Sequence, residues 1–170
     1  MKAGAKEGTE TELLNLVDYE LKPCEGCKTC FNTKKCVIED DVEKIYQKIV
    51  EADGVIIGSP VYFYNVTAQT KLFIDRVGYL HAARGRKAFE GKIGGAVAVA
   101  QRSGLMSTVS QILMFFHSTR MIIATPFIIS LAEEKGEARK DTRGLKDAEV
   151  LGKKISQIIT LTKSSKKISF

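Results

Sequence analysis

Apolar residues follow two rhythms along this chain. Short runs bounded by glycine alternate with longer segments whose apolar positions recur every three or four residues. Val55-Ile56-Ile57, between Gly54 and Gly58, is wholly apolar, the pattern of a strand buried on both faces of a parallel sheet. Ile93 to Ala100, following Lys92, makes a second strand of this kind, and Met121-Ile122-Ile123 a third. Thr11 to Leu16 alternates well enough to predict a short strand ahead of them. Between the strands, Val42, Ile45, Tyr46, Ile49 and Val50 line one face of a helix that Asp40 or Asp41 can cap. Thr67 is placed to cap a second helix, with Leu72, Phe73 and Val77 on its apolar face. A third helix spans 107–118. A fourth closes the chain over 145–161, with Ala148, Leu151, Ile155, Ile158 and Ile159 turned inward. Residues 1–11 read as the end of a helix, and 132–144 as a charged loop. Strands alternating with helices predict one α/β domain over 1–170, built on a parallel sheet with right-handed crossovers. Ligands of such sheets bind outside the carboxyl ends of the strands, where the loops 59–66 and 101–104 fall.

Composition narrows the classes. A chain of 170 residues with 44% hydrophobic and 27% charged residues is long enough to bury a sizeable core. The longest apolar run, 121–131, is interrupted by Thr125, Pro126 and Ser130, too short and too broken for a membrane helix. The polar N-terminus has no signal-peptide core, so a cytoplasmic location is expected. The net charge is +6, yet the basic residues are dispersed and no basic stripe interleaved with aromatics suggests a nucleic-acid partner. The one basic run, 163–167, reads as a solvated C-terminal end.

All the chemistry-bearing density lies in 23–37. This loop, opened by Pro23, holds the protein's four cysteines at C-x2-C-x2-C-x5-C spacing. In a reducing compartment a cysteine group reads as a metal or catalytic site before it reads as disulfides. Structural zinc sites usually split their ligands into two pairs from separate loops. Here three cysteines fall within one seven-residue run, which suits three corners of a cuboidal cluster. The spacing favours a single [4Fe–4S] centre with Cys36 as fourth ligand, over zinc and over disulfides. Gly26 allows close backbone approach, and Lys28, Lys34 and Lys35 offset a negative cluster. A second signal is the loop after the first buried strand, whose Tyr62, Phe63 and Tyr64 could present ring faces to a flat heterocycle or could simply pack. His81 and His117 stand apart from any nucleophile or metal pattern, and His117 reads as a packed or interfacial side chain. Asp40-Asp41 reads as a helix cap rather than an acid–base pair.

The order C-x-G-C-x-x-C, C-V-I-x-D-D, G-S-P-V-Y-F-x-x-V-x-x-Q-x-K-x-F-I-D-R and K-D-x-x-G-L resembles the iron–sulfur flavoproteins, within the wider NADPH-dependent FMN reductase group. The resemblance covers about residues 12–161 and implies a flavodoxin-like fold, FMN, a [4Fe–4S] cluster and a homodimer or homotetramer. It implies cluster ligation by Cys24, Cys27, Cys30 and Cys36. It also implies FMN contacts from Ser59, Pro60, Val61, Tyr62, Phe63 and Asn65, and from Gln101, Arg102, Ser103 and Gly104. The expected work is redox: single electrons from a small carrier such as ferredoxin, through cluster and flavin, to a small acceptor. Two departures accompany it. The group's opening strand and G-S-P-R-x-x-G-N-T phosphate loop are not seen here, so a sheet without its first strand and a weakened hold on FMN are expected. The loop after the second buried strand is Gln101-Arg102-Ser103-Gly104 where a glycine-rich loop is expected. The competing readings are an NAD(P)H-dependent FMN or quinone reductase without a cluster, and a zinc-stapled binding domain with no enzymatic activity. Met114, Phe115 and Phe116 are candidates for an interface or for the core.

Overall fold

The computed structural model describes residues 2–164; the end of the basic run at 163–167 lies outside them. The elements are α1 (Lys2–Lys6), α2 (Thr29–Thr33), α3 (Val42–Glu51), β1 (Gly54–Pro60), α4 (Ala68–Ala83), β2 (Ile93–Ala100), α5 (Leu105–Ser118), β3 (Ile122–Ile123), β4 (Ile128–Leu131) and α6 (Thr142–Ser164). β2 is central and every pairing is parallel. β1 runs along one side of it in register Gly54 to Ile93 through Pro60 to Val99. The other side is shared by β3, opposite Ile93 and Gly94, and β4, opposite Val97 to Ala100. The third strand is thus one path broken in two around Thr125-Pro126, and β4 is the part that periodicity missed.

The alternation of β2 builds two cores. Ala96 and Ala98 face α3, α4 and α5, where Ile45, Val77, Leu80, Ile112 and Phe116 are buried. Ile93 and Val97 face α6, where Leu151 and Ile155 close the second cluster with Ile128. Small residues let the layers meet: a Cβ at Gly94 would fall 2.7 Å from the Phe116 ring, so only glycine admits α5 at that depth. α1 lies on α6, with Gly152 against Ala3 and the Thr9 hydroxyl donating to Ser156.

Two expectations change, and one open choice is decided. Thr11 to Leu16 forms no strand. It runs extended into a 3-10 turn at Leu16–Asp18 with Leu13 exposed, because among the described residues no strand lies beside it to complete a ladder. β1 is not buried on both faces: Ile57 is buried while Ile56 is 45% exposed, as befits the outermost strand of the described sheet. Phe115 and Phe116 belong to the core, whereas Met114 and His117 are exposed. Among the described residues no helix is long and apolar enough to cross a membrane.

His81 is the odd member of the core. It lies within α4, 1% exposed, stacked on Phe89 at 4.1 Å, and neither ring nitrogen has a hydrogen-bond partner. Burial, and then the positive charge of Arg86, lowers its pKa to about 4. The folded chain therefore prefers the neutral ring, and that preference stabilises it fully above the unfolded-state value near 6.5. Stability is lost as pH falls from there toward 4, by at most about 3 kcal/mol. Urea midpoints of His81→Leu should lose this slope between pH 6.5 and 4; an unchanged slope would assign it to other groups.

Candidate functional site

The second half of the cysteine loop is drawn onto the C-terminal end of α4. Phe31 meets Tyr79 edge-on, with ring centroids 6.3 Å apart. The Lys34 ammonium donates to the Ala83 carbonyl, and Arg84 Nε donates to the Lys34 carbonyl. Gly26, Lys28 and Lys34 take left-handed backbone angles, and these reversals coil the segment around α2. Cys24, Cys27, Cys30 and Cys36 then line one pocket, together with Val37, Ile38, Arg76, Tyr79 and Leu80. No disulfide joins them. Cys24 and Cys27 are exposed, Cys30 and Cys36 half-buried. Burial first, then the neighbouring Cys36, Cys27 and Cys24 sulfurs, push the Cys30 thiol up, so the other three lie within electrostatic reach of it. The Thr29 hydroxyl and backbone N–H hold the Cys27 thiol down.

This donor set fits the cluster better than zinc. A single zinc ion draws four thiolates in to about 2.3 Å each. Among the described residues no three His, Cys, Asp or Glu side chains are gathered closely enough to ligate one ion. Four sulfurs that ring a common pocket without closing on one point suit a larger inorganic core with an iron at each corner.

Spacing alone missed two residues here. Arg76 occupies a buried slot of α4, three positions after Phe73 and four before Leu80, with its side chain 1% exposed. Asp40, read as a helix cap, pairs with it through a side chain that is 0% exposed. Asp40 also caps after a fashion, since Oδ1 accepts the Val42 N–H at 3.1 Å. Asp41 is the formal N-cap but makes no cap bond with its side chain. It clasps the strand-like entry instead: Oδ2 accepts the Glu20 N–H at 2.9 Å. A charged residue in the apolar stripe of α4 was the signal available for Arg76.

The second set of residues gathers at the N-terminal end of α4. The Val61 N–H donates to the Val99 carbonyl at 2.7 Å, carrying the chain past the end of β1. Tyr62 and Asn65 pair across a tight turn whose two central residues, Phe63 and Tyr64, have φ of 45° and 68°. The turn leaves Tyr62, Phe63 and Tyr64 exposed, Phe63 at 97%. Ser59, by contrast, is buried, and its hydroxyl accepts the Thr67 N–H at 3.1 Å and donates to the Pro60 carbonyl. Thr67 caps α4 by accepting the Thr70 N–H, as its position predicts. The loop after β2 comes up beside the turn: Ser107 donates to the Tyr64 carbonyl, and Gly104, at φ 88°, packs against Tyr64 and Val61. Gln101, Arg102 and Ser103 are exposed there. Pro60, Val61, Tyr62, Phe63 and Asn65 are therefore brought together with 101–104 at the carboxyl ends of β1 and β2. Three exposed rings beside the exposed polar side chains Gln101, Arg102 and Ser103 suit a flat, polar-edged heterocycle.

Comparison with known proteins shows the family and the fold. The family described as NADPH-dependent FMN reductase matches residues 1–135. An iron–sulfur flavoprotein of Methanocaldococcus jannaschii is 41% identical over 96% of this chain and 88% of its own. One from Methanosarcina thermophila is 29% identical over 98% of this chain and 87% of its own. Among solved structures, RosB with a bound 8-demethyl-8-formylriboflavin-5'-phosphate intermediate aligns at a TM-score of 0.73 and 16% identity, covering 96% of this chain and 70% of that one. An archaeal flavodoxin aligns at a TM-score of 0.62 and 16% identity, covering 94% of this chain and 84% of that one. These likenesses show a flavodoxin-like fold.

Proposed function

The chain belongs to the NADPH-dependent FMN reductase family, in its iron–sulfur flavoprotein branch, and on that premise we propose that it carries one [4Fe–4S] cluster and FMN and passes electrons from a small carrier to a small acceptor. The observation that carries this reading is the division of α4. Its C-terminal half helps line the pocket of four cysteines, and the loops at its start gather the exposed rings. When bound, the cluster supplies one-electron steps and the flavin the means to combine two of them.

The chain's own part is binding and tuning. Cys24, Cys27, Cys30 and Cys36 hold the cluster. Tyr62, Phe63 and Tyr64 offer faces to the flavin ring, and Asn65, Gln101, Arg102 and Ser103 offer polar contacts around it. No side chain of the site is required as acid or base. A ferredoxin-type protein is the proposed donor, and the assembly proposed is a homodimer or homotetramer.

Iron, acid-labile sulfide and flavin analysis of an anaerobic preparation tests the reading. Four irons and four sulfides per chain are expected, with FMN bound weakly and approaching one per chain only when it is supplied in excess. A flavin-yellow protein without sulfide would leave a cluster-free reductase, and one tightly bound zinc with no flavin would leave a binding domain.

A further inference from the structure

Burying a guanidinium in the apolar face of a helix is unfavourable unless its donors are used. Among the described residues, the side-chain hydrogen bonds of Arg76 run to the cysteine segment and to the residues that flank it. Nη1 donates to the Lys22 carbonyl and to Asp40 Oδ2. Nη2 donates to Asp40 Oδ1 at 3.0 Å and to Cys36 Sγ at 3.3 Å. Asp40 in turn accepts the Lys22 N–H at 2.9 Å and the Val42 N–H at 3.1 Å. One buried ion pair thus ties together the residue before Pro23, the last cysteine and the first turn of α3. Lys22 itself points outward, to Glu20 and the Glu39 carbonyl.

We propose that Arg76 is a positioning residue for the cluster: it holds Cys36 through a charged N–H···S bond, sets the loop for loading, and favours the reduced cluster, with Asp40 aligning its fork. The inference rests on the cluster reading above. An added electron makes the cluster and its thiolates one charge more negative. A fixed cation at hydrogen-bond distance from one of those sulfurs stabilises that form, and hydrogen bonds to sulfur and net charge are the levers that set cluster potentials. The geometry also requires arginine. Lysine presents a compact ammonium and cannot span two carboxylate oxygens, a carbonyl and a sulfur at once.

EPR-monitored redox titration of the reconstituted protein separates this role from a merely structural one. Arg76→Met should reduce the equilibrium constant for cluster reduction at least tenfold, a downward shift of about 59 mV for one electron. Asp40→Asn removes the opposing negative charge and should shift the potential up. Arg76→Lys should fall between wild type and Arg76→Met. In the apo protein, Arg76→Met should take up iron and sulfide several-fold more slowly at unchanged far-UV CD. A structural role would lower cluster content in every variant alike, with no shifts of opposite sign. Shifts of the same sign in Arg76→Met and Asp40→Asn, or an unmoved potential in Arg76→Met, would overturn the proposal. If Arg76→Met alone does not fold, the double variant Arg76→Met/Asp40→Asn buries no charge at all. It should lie at least tenfold below Asp40→Asn, and equality of the two would overturn the proposal. Wild-type protein without iron and sulfide would overturn the cluster reading and this inference together, whereas a loaded wild type with unmoved variants overturns only the inference.

Discussion

Cys27→Ala is expected to lose the cluster and keep the fold. Cys27 is exposed, and its sulfur is held by Thr29 within the loop itself. The loop stays docked by other means: Phe31 on Tyr79, Lys34 on the Ala83 carbonyl, and the Asp40–Arg76 pair. None of these passes through Cys27, and the two cores on either side of β2 contain no part of it. An exposed substitution away from caps and buried networks changes stability by about 0.5 kcal/mol or less. Iron and acid-labile sulfide should therefore be lost while far-UV CD holds and the urea midpoint matches that of the apo wild-type protein. Collapse of the CD signal would show that the loop, and not the sheet, organises the domain.

Gly104→Ala is expected to act at the other end of α4. Its φ of 88° carries a penalty of about 1–2 kcal/mol for any L side chain. The new Cβ would also lie 2.7 Å from Tyr64 Cα and from Val61 Cγ1, and 3.1 Å from the Tyr64 carbonyl carbon. Backbone atoms cannot swing aside as a side-chain tip can, and overpacking of this kind typically costs about 1–3 kcal/mol. The loops 61–65 and 101–104 can relieve the clash only by separating. Flavin affinity should fall at least tenfold, about 1.4 kcal/mol, with iron content unchanged because the cysteine pocket lies along α4 and away from this contact. Flavin fluorescence titration beside iron analysis checks both halves. Wild-type flavin affinity in Gly104→Ala would remove 101–104 from the site.

Periodicity was informative wherever burial was two-sided. β2 and the helices α3, α4 and α6 follow their apolar spacing because each packs against a neighbour that rewards it. It misled at 11–16, where alternation was present but a ladder partner was not, since a strand is a property of a pair. It was silent on β4, because Pro126 divides one sheet path into pieces too short to show a period. The cysteine motif and the aromatic turn could be read directly, being local in sequence. The Asp40–Arg76 clasp could not. Its partners are 36 residues apart, and an aspartate ahead of a helix has an adequate local explanation as a cap.

The turn at Phe63 and Tyr64 sets a limit on what this protein can become. Two-residue connections with both central φ angles positive are strongly preferred as Asn-Gly, and a non-glycine residue held there stores on the order of 1–3 kcal/mol. Here both positions carry large aromatic rings turned to solvent, so each is unfavourable in backbone conformation and in hydration alike. Any drift toward a more heat-tolerant chain through these two positions must discard the rings proposed to face the flavin. Thermal tolerance has to be gained elsewhere in the molecule, and the turn is a place where selection for binding and selection for stability pull in opposite directions.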